Sequence, residues 1–321
     1  MAKVAVYAIC KDEAAHAARF MASMGEADGI FILDTGSTDG SPRILRDLGA
    51  VVHETVITPW RFDVARNLAL GLVPLDYDIC VCCDLDEIFA PGWRDAAEQA
   101  WQDGTTRLTY PFYYDDRGSF FHRDLIHSRK GYFWFWPIHE ALLPIGSEQV
   151  VHTDAVHLYH HPDPSKPRTD YLPMLEAAVH HTPYDRRMLR YLGREYLYHG
   201  RWQEALDVLS HHIVLETWDA ERSASYRDMA RCHLALDQSE KAEADLLLAI
   251  RSCPCQRESY IELAQLLLAQ ARYTEAEKAV AQALAIREPH PHYFKRAKPS
   301  ITGIVRSARM IPPMPRVSAI V

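Results

Sequence analysis

Three tyrosines in the second half of the chain, Tyr191, Tyr226 and Tyr260, stand 35 and 34 residues apart. Each opens an apolar helical stretch: Tyr191-Leu192-Gly193-Arg194-Glu195-Tyr196, Tyr226-Arg227-Asp228-Met229-Ala230 and Tyr260-Ile261-Glu262-Leu263-Ala264. Each is followed by a partner helix carrying Glu204-Ala205, Lys241-Ala242 or Glu275-Ala276. A fixed period of this length narrows the fold sharply. A pair of helices cannot bury its apolar face alone, so it must stack on copies of itself.

The period, the helix pairing and the small residues at helix crossings resemble tetratricopeptide repeats, expected over residues 166–290. Such stacks present a groove to a peptide or another subunit, or they buttress a neighbouring domain. The sequence leaves both open, along with a homodimer through the repeats. Residues 291–321 form a basic, proline-containing tail: from Lys295 to Val321 there are six Lys/Arg and no Asp/Glu. It reads as a strap on the acidic remainder, with a membrane or anionic contact as the rival, although helical amphipathic spacing is absent.

Residues 1–165 have a different rhythm. Val4 to Cys10, Ile30 to Leu33, Val51 to His53 and Ile79 to Cys83 are short apolar runs; Glu13 to Met24, Ser41 to Leu48 and Phe62 to Leu72 have helical spacing. This alternation predicts parallel βαβ units covered on both faces, with ligands outside the carboxyl ends of the strands. Asp34 and Asp84 both stand at such ends. With 48% hydrophobic residues in 321, the chain can build two cores. A formal charge of −8 argues against nucleic acid as a partner. The seven cysteines read as reduced and mostly buried, and Cys253-Pro254-Cys255 as a helix-ending loop. The absence of a leader or a long apolar stretch predicts a cytoplasmic or membrane-peripheral protein with no transmembrane segment.

Asp84-Leu85-Asp86-Glu87 follows an all-apolar strand. Two carboxylates one residue apart at a strand end can share a hard divalent cation, Mn²⁺ or Mg²⁺, with diphosphate oxygens and water. Alone, such a pair is commonly just a solvated acidic loop. Asp34-Thr35-Gly36-Ser37-Thr38-Asp39-Gly40 serves equally as an N-capping turn or as a nucleotide pocket. Neither a dinucleotide-binding glycine motif nor a phosphate-loop lysine is present.

Taken in order, Lys11-Asp12-Glu13, Asp34 to Asp39, Ala65-Arg66-Asn67 and Asp84 to Glu87 resemble the motif set of family 2 glycosyltransferases. Trp136-Pro137-Ile138-His139-Glu140 and His160-His161-Pro162-Asp163-Pro164 to Tyr171-Leu172 are similar to the subgroup carrying tetratricopeptide repeats. The resemblance spans residues 3–290. It implies an α/β GT-A domain (a Rossmann-like mixed sheet of the nucleotide-diphospho-sugar transferase type) over 1–165, followed by the all-α repeats. It also implies an inverting hexosyltransferase-type reaction from a nucleotide sugar to a glycan, a lipid-linked glycan, or a peptide or protein acceptor. By the same resemblance Asp34, Thr35, Arg66, Asp84, Lys11 and Glu13 bind nucleotide, and Asp86, Asp84 and His160 bind metal, with His157 and His161 as competitors. Inversion needs a general base. Glu140, beside an aromatic segment that could desolvate it, is the first choice, with Asp115 and Asp116 as rivals. Two other functions remain open: a nucleotidyltransferase, and a repeat-based protein-binding module whose α/β domain is inactive.

Overall fold

A computed structural model describes residues 2–114, 120–163 and 170–287. Asp115 and Asp116, the junction residues 164–169 and the basic tail lie outside the described residues. The chain divides into two compact units, Met1–Thr169 and Asp170–Val321.

In unit 1, β1 (Val4–Cys10), β2 (Gly29–Asp34), β3 (Val51–Glu54) and β4 (Ile79–Cys82) pair in parallel in the order β3-β2-β1-β4. Both faces of β1 are covered. Val6 and Ala8 pack with Phe20 of α1 (Ala14–Met24) and Leu45 of α2 (Ser41–Asp47). Ala5 and Tyr7 pack with Ala65 and Ala69 of α3 (Phe62–Leu72). Burial on both sides is why such strands read as unbroken apolar runs.

Parallel pairing between sequential strands stops at β4. Its free edge takes β7 (Phe120–Ser128) antiparallel. The sheet continues through β6 (Arg107–Tyr113), β11 (Leu158–His160) and β5 (Glu87–Phe89), with β10 (Val150–His152) also on β6. β8 (Tyr132–Phe135) and β9 (Ala141–Pro144) form a separate two-stranded ribbon. The expected Rossmann-like architecture is corrected to this nine-stranded mixed sheet. The physical reason is connectivity: after α4 (Trp93–Ala100), no crossover helix occurs among the described residues of unit 1. Later strands therefore join their neighbours through hairpins and loops.

Unit 2 is helical. After α5 (Leu172–His181) come three pairs: α6 (Arg186–Tyr198) with α7 (Trp202–Leu215), α8 (Asp219–Ala235) with α9 (Ser239–Ser252), and α10 (Arg257–Ala269) with α11 (Tyr273–Ala285). Tyr191, Tyr226 and Tyr260 lie inside α6, α8 and α10, not at their starts. The first turns of α6, α8 and α10 precede the tyrosines; at α6 the N-cap Asp185 accepts from the Met188 amide at 3.0 Å. Small residues set the crossings. A Cβ on Gly193 would lie 2.5 Å from Leu209 Cδ2, so only glycine admits this approach of α6 to α7. Ion pairs tie the first helices of successive pairs: Arg190 to Asp228 at 2.6 Å, and Arg227 to Glu262 at 2.6 Å. Burial works to raise the Asp228 carboxyl, yet Arg190 and Arg231 together hold it below its ordinary value.

Candidate functional site

The acidic stretch after β4 meets two arginines. The first comes from α3, whose Asn67 pins the helix to the ribbon: its amide donates to the Trp134 carbonyl at 2.8 Å and accepts from the Trp134 amide at 2.9 Å. The Phe62 amide, at the start of α3, donates to the Pro137 carbonyl at 2.9 Å. Thus held, Arg66 reaches Asp84 Oδ1 at 2.8 Å and Glu140 Oε1 at 3.0 Å, and packs over the Trp134 ring at 5.3 Å. Burial works against its charge, but Asp84 and Glu140 hold it protonated above the ordinary arginine range.

Arg123 of β7 is the second cation. It pairs with the buried Glu87 and approaches Asp84 Oδ2 at 4.0 Å. Burial opposes ionisation of Asp84, and Arg66 with Arg123 nevertheless keeps it below its ordinary value. Burial pushes Glu87 up; Arg123 draws back only part of that rise, and Asp84 adds to it. Glu87 also accepts from the Asp84 amide at 3.0 Å, closing the turn. Asp86 meets His160 Nε2 at 3.1 Å, which raises the imidazole's proton affinity. His161 contributes its backbone amide to the Asp86 carbonyl at 2.8 Å, and His157 turns to the Asp154 carbonyl at 2.7 Å. The His160 ring thus stands against the Asp86 carboxylate.

The structure gathers Arg66, Asp84, Asp86, Glu87, Glu140 and His160 into one cluster. Asp84, Asp86 and Glu87 present oxygens within 4.8 Å of one another. Asp34 is used differently. Its carboxylate accepts from the Gly36 and Ser37 amides at 3.0 and 2.9 Å and from the Ser37 hydroxyl at 2.5 Å, a self-contained turn. Thr35 bonds back to the Cys10 carbonyl at 3.0 Å, Glu13 to the His16 ring at 2.8 Å, and Lys11 is exposed. Arg123 was not anticipated. It lies in Phe120-Phe121-His122-Arg123-Asp124, which lacks strand alternation, and only the non-local β4–β7 pairing brings it to Asp84.

No family model matches the sequence. A TPR repeat-containing protein from Synechococcus elongatus is 32% identical over 113 residues, 34% of this chain and 27% of that protein. The chain thus matches about a quarter of that relative's length. Among solved structures, a crystal structure of MamA is similar at 19% identity, with 36% of this chain and 66% of that one covered and a TM-score of 0.33. A Pseudomonas aeruginosa pilF structure is similar at 19% identity, with 37% and 53% covered and a TM-score of 0.33. Likeness at these scores is too distant to assign a fold.

The relatedness found in sequence is to a repeat protein, and this corrects several expectations. Membership of glycosyltransferase family 2, the GT-A classification and hexosyltransferase activity are withdrawn. Glu140, the first choice for the general base, is a partner of Arg66, and its rivals Asp115 and Asp116 lie outside the described residues. Among the described residues, no helix is long and apolar enough to cross a membrane.

Proposed function

We propose that this protein is a repeat-based binding module whose helical unit engages an extended acidic segment of a partner protein. One observation carries the reading: a surface cavity of about 340 Å³ lined by Asp219, Arg222 and Tyr226 of α8 and by Leu248, Arg251 and Ser252 of α9. The α8 residues fall on one helix face by their spacing. Arg251 and Arg222, the latter also held by Asp219 at 3.4 Å and by the Glu216 carbonyl at 2.8 Å, stand beside a tyrosine and a leucine, a set that suits a carboxylate next to an apolar side chain. The sequence likeness to a repeat-containing protein supports the same reading. The ion-paired cluster of unit 1 acts in this view as a rigid internal tie. The expected divalent cation, Mn²⁺ or Mg²⁺, would meet Asp86 first, since arginines already engage Asp84 and Glu87.

The test is fluorescence anisotropy with a labelled heptapeptide of alternating Glu and Leu, against its Lys–Leu counterpart. The acidic peptide is expected to bind and the basic one not. Joint replacement of Arg222 and Arg251 by Ala should weaken binding by about tenfold or more, the loss of at least one charge-assisted contact. Equal binding of both peptides, or binding indifferent to the two arginines, overturns the proposal.

A further inference from the structure

Away from the acidic cluster, His122, His152 and Asp154 each present a ligand atom, all within 4.8 Å of one another. We propose that these three residues form a binding site for a divalent transition ion of the zinc class.

The sheet register brings them together. His122 of β7 lies opposite Pro111 of β6, and His152 of β10 lies opposite Thr109 of the same strand. Opposed residues share a sheet face, as do residues two apart along a strand. Both imidazoles therefore rise on one side of β6, over the small residues Thr109 and Pro111. Their rings approach to 4.6 Å at an interplanar angle of 85°. Asp154 stands two residues beyond the end of β10, and its carboxylate lies 3.2 Å from His152 Nε2.

Neighbouring bonds orient these ligands. Thr109 Oγ1 sits 3.0 Å from His152 Nδ1. A hydroxyl can donate or accept, so it can take the Nδ1 proton when Nε2 gives its lone pair to a metal. The Thr153 amide donates to the Thr109 carbonyl at 2.9 Å, and His157 Nε2 meets the Asp154 carbonyl at 2.7 Å. Backbone and ring contacts thus fix the turn that carries Asp154.

The donor set selects the metal class. Two imidazoles favour zinc, copper, nickel or cobalt over magnesium and calcium, which prefer oxygen. Metal–ligand bonds of about 2.0–2.2 Å place tetrahedral donors roughly 3.3 Å apart. The exposed side chains can close to that spacing by small rotations. Three protein ligands leave a fourth position for water or for a donor from another molecule.

The probe is Co²⁺ titrated into the untagged full-length protein, followed by its visible d–d absorption and by displacement with Zn²⁺. A saturable site without a thiolate charge-transfer band is expected. His152→Ala and His122→Ala should each abolish it, Thr109→Val should weaken it by about tenfold or more, and replacement of the exposed His53 of β3, His53→Ala, should leave it unchanged. Circular dichroism should show all variants folded, because the three ligands lie on the surface. Binding that survives loss of both histidines, a thiolate band pointing to Cys253 and Cys255, or loss of the site on His53→Ala would overturn the assignment.

Discussion

His127, buried in β7, makes unit 1 sensitive to mild acid in a way that can be calculated. Its Nδ1 lies 2.9 Å from the Ser128 carbonyl, which only accepts, so Nδ1 carries the proton. Nε2 is then an acceptor, 2.9 Å from the Tyr7 hydroxyl, and Tyr7 in turn accepts from Trp134 Nε1 at 2.9 Å. The relay runs Trp134 to Tyr7 to His127, and every donor is used. Adding a proton at Nε2 would set it against the Tyr7 hydroxyl proton. Burial, reinforced by Arg107 and Arg129, lowers the His127 pKa to about 3, from an unfolded value near 6.5. A depressed histidine stabilises the fold fully above the unfolded value, and this contribution is lost as pH falls from about 6.5 towards 3. At about 1.4 kcal/mol per pH unit, the loss reaches about 2 kcal/mol at pH 5 relative to pH 8. His127→Gln keeps an acceptor for Tyr7 but cannot titrate. Urea unfolding followed by tryptophan emission, with m checked for two-state behaviour, should show the variant less stable at pH 8. The gap between wild type and variant should then shrink by about 2 kcal/mol at pH 5. An unchanged gap refutes the neutral, relayed imidazole, and ¹⁵N shifts of the ring would test its tautomer directly.

Two further outcomes follow from packing and charge. Arg66→Met should destabilise unit 1 by roughly 3–5 kcal/mol, because it leaves Glu140 without its cation and Asp84 with only Arg123 at 4.0 Å. Thermal denaturation should show part of that loss recovered when Glu140→Gln is added. Gly193→Ala gains about 1 kcal/mol of helix propensity but forces a methyl into Leu209, an overpacking cost of about 1–3 kcal/mol. Net destabilisation is expected by chemical denaturation. In a Leu209→Ala background the same change should become stabilising, and a double-mutant cycle measures the coupling.

The parallel part of the sheet was legible residue by residue. Val4–Cys10 and Phe62–Leu72 have the predicted ends, since two-sided burial leaves an apolar run and one-sided burial a helical stripe. β7 was not legible, because Arg123, Asp124 and His127 interrupt its apolar pattern for reasons that lie in other strands. Three-residue strands such as β5 and β11 are too short to carry any period. The cluster around Asp84 was readable as a set of residues, while the ion pairs that Arg66 and Arg123 make with it were not. Acidic motifs at strand ends also serve the backbone: Asp34 closes its own turn, and Asp39 accepts from the Ser41 and Ala14 amides at 3.0 and 2.9 Å. Motif order cannot separate a ligand site from a capping network when both use the same side chains.

β5 joins the sheet through β11, which inserts between it and β6. During synthesis at ~5–20 residues per second, the chain from Glu87–Phe89 to Leu158–His160 takes roughly 4–14 s to make. For that interval the first four strands can assemble on the ribosome while Glu87 and its neighbours have no strand to pair with. The β5 end of the unit 1 sheet is thus completed late, and a nascent chain stalled before residue 158 leaves β5 without the strand that joins it to β6.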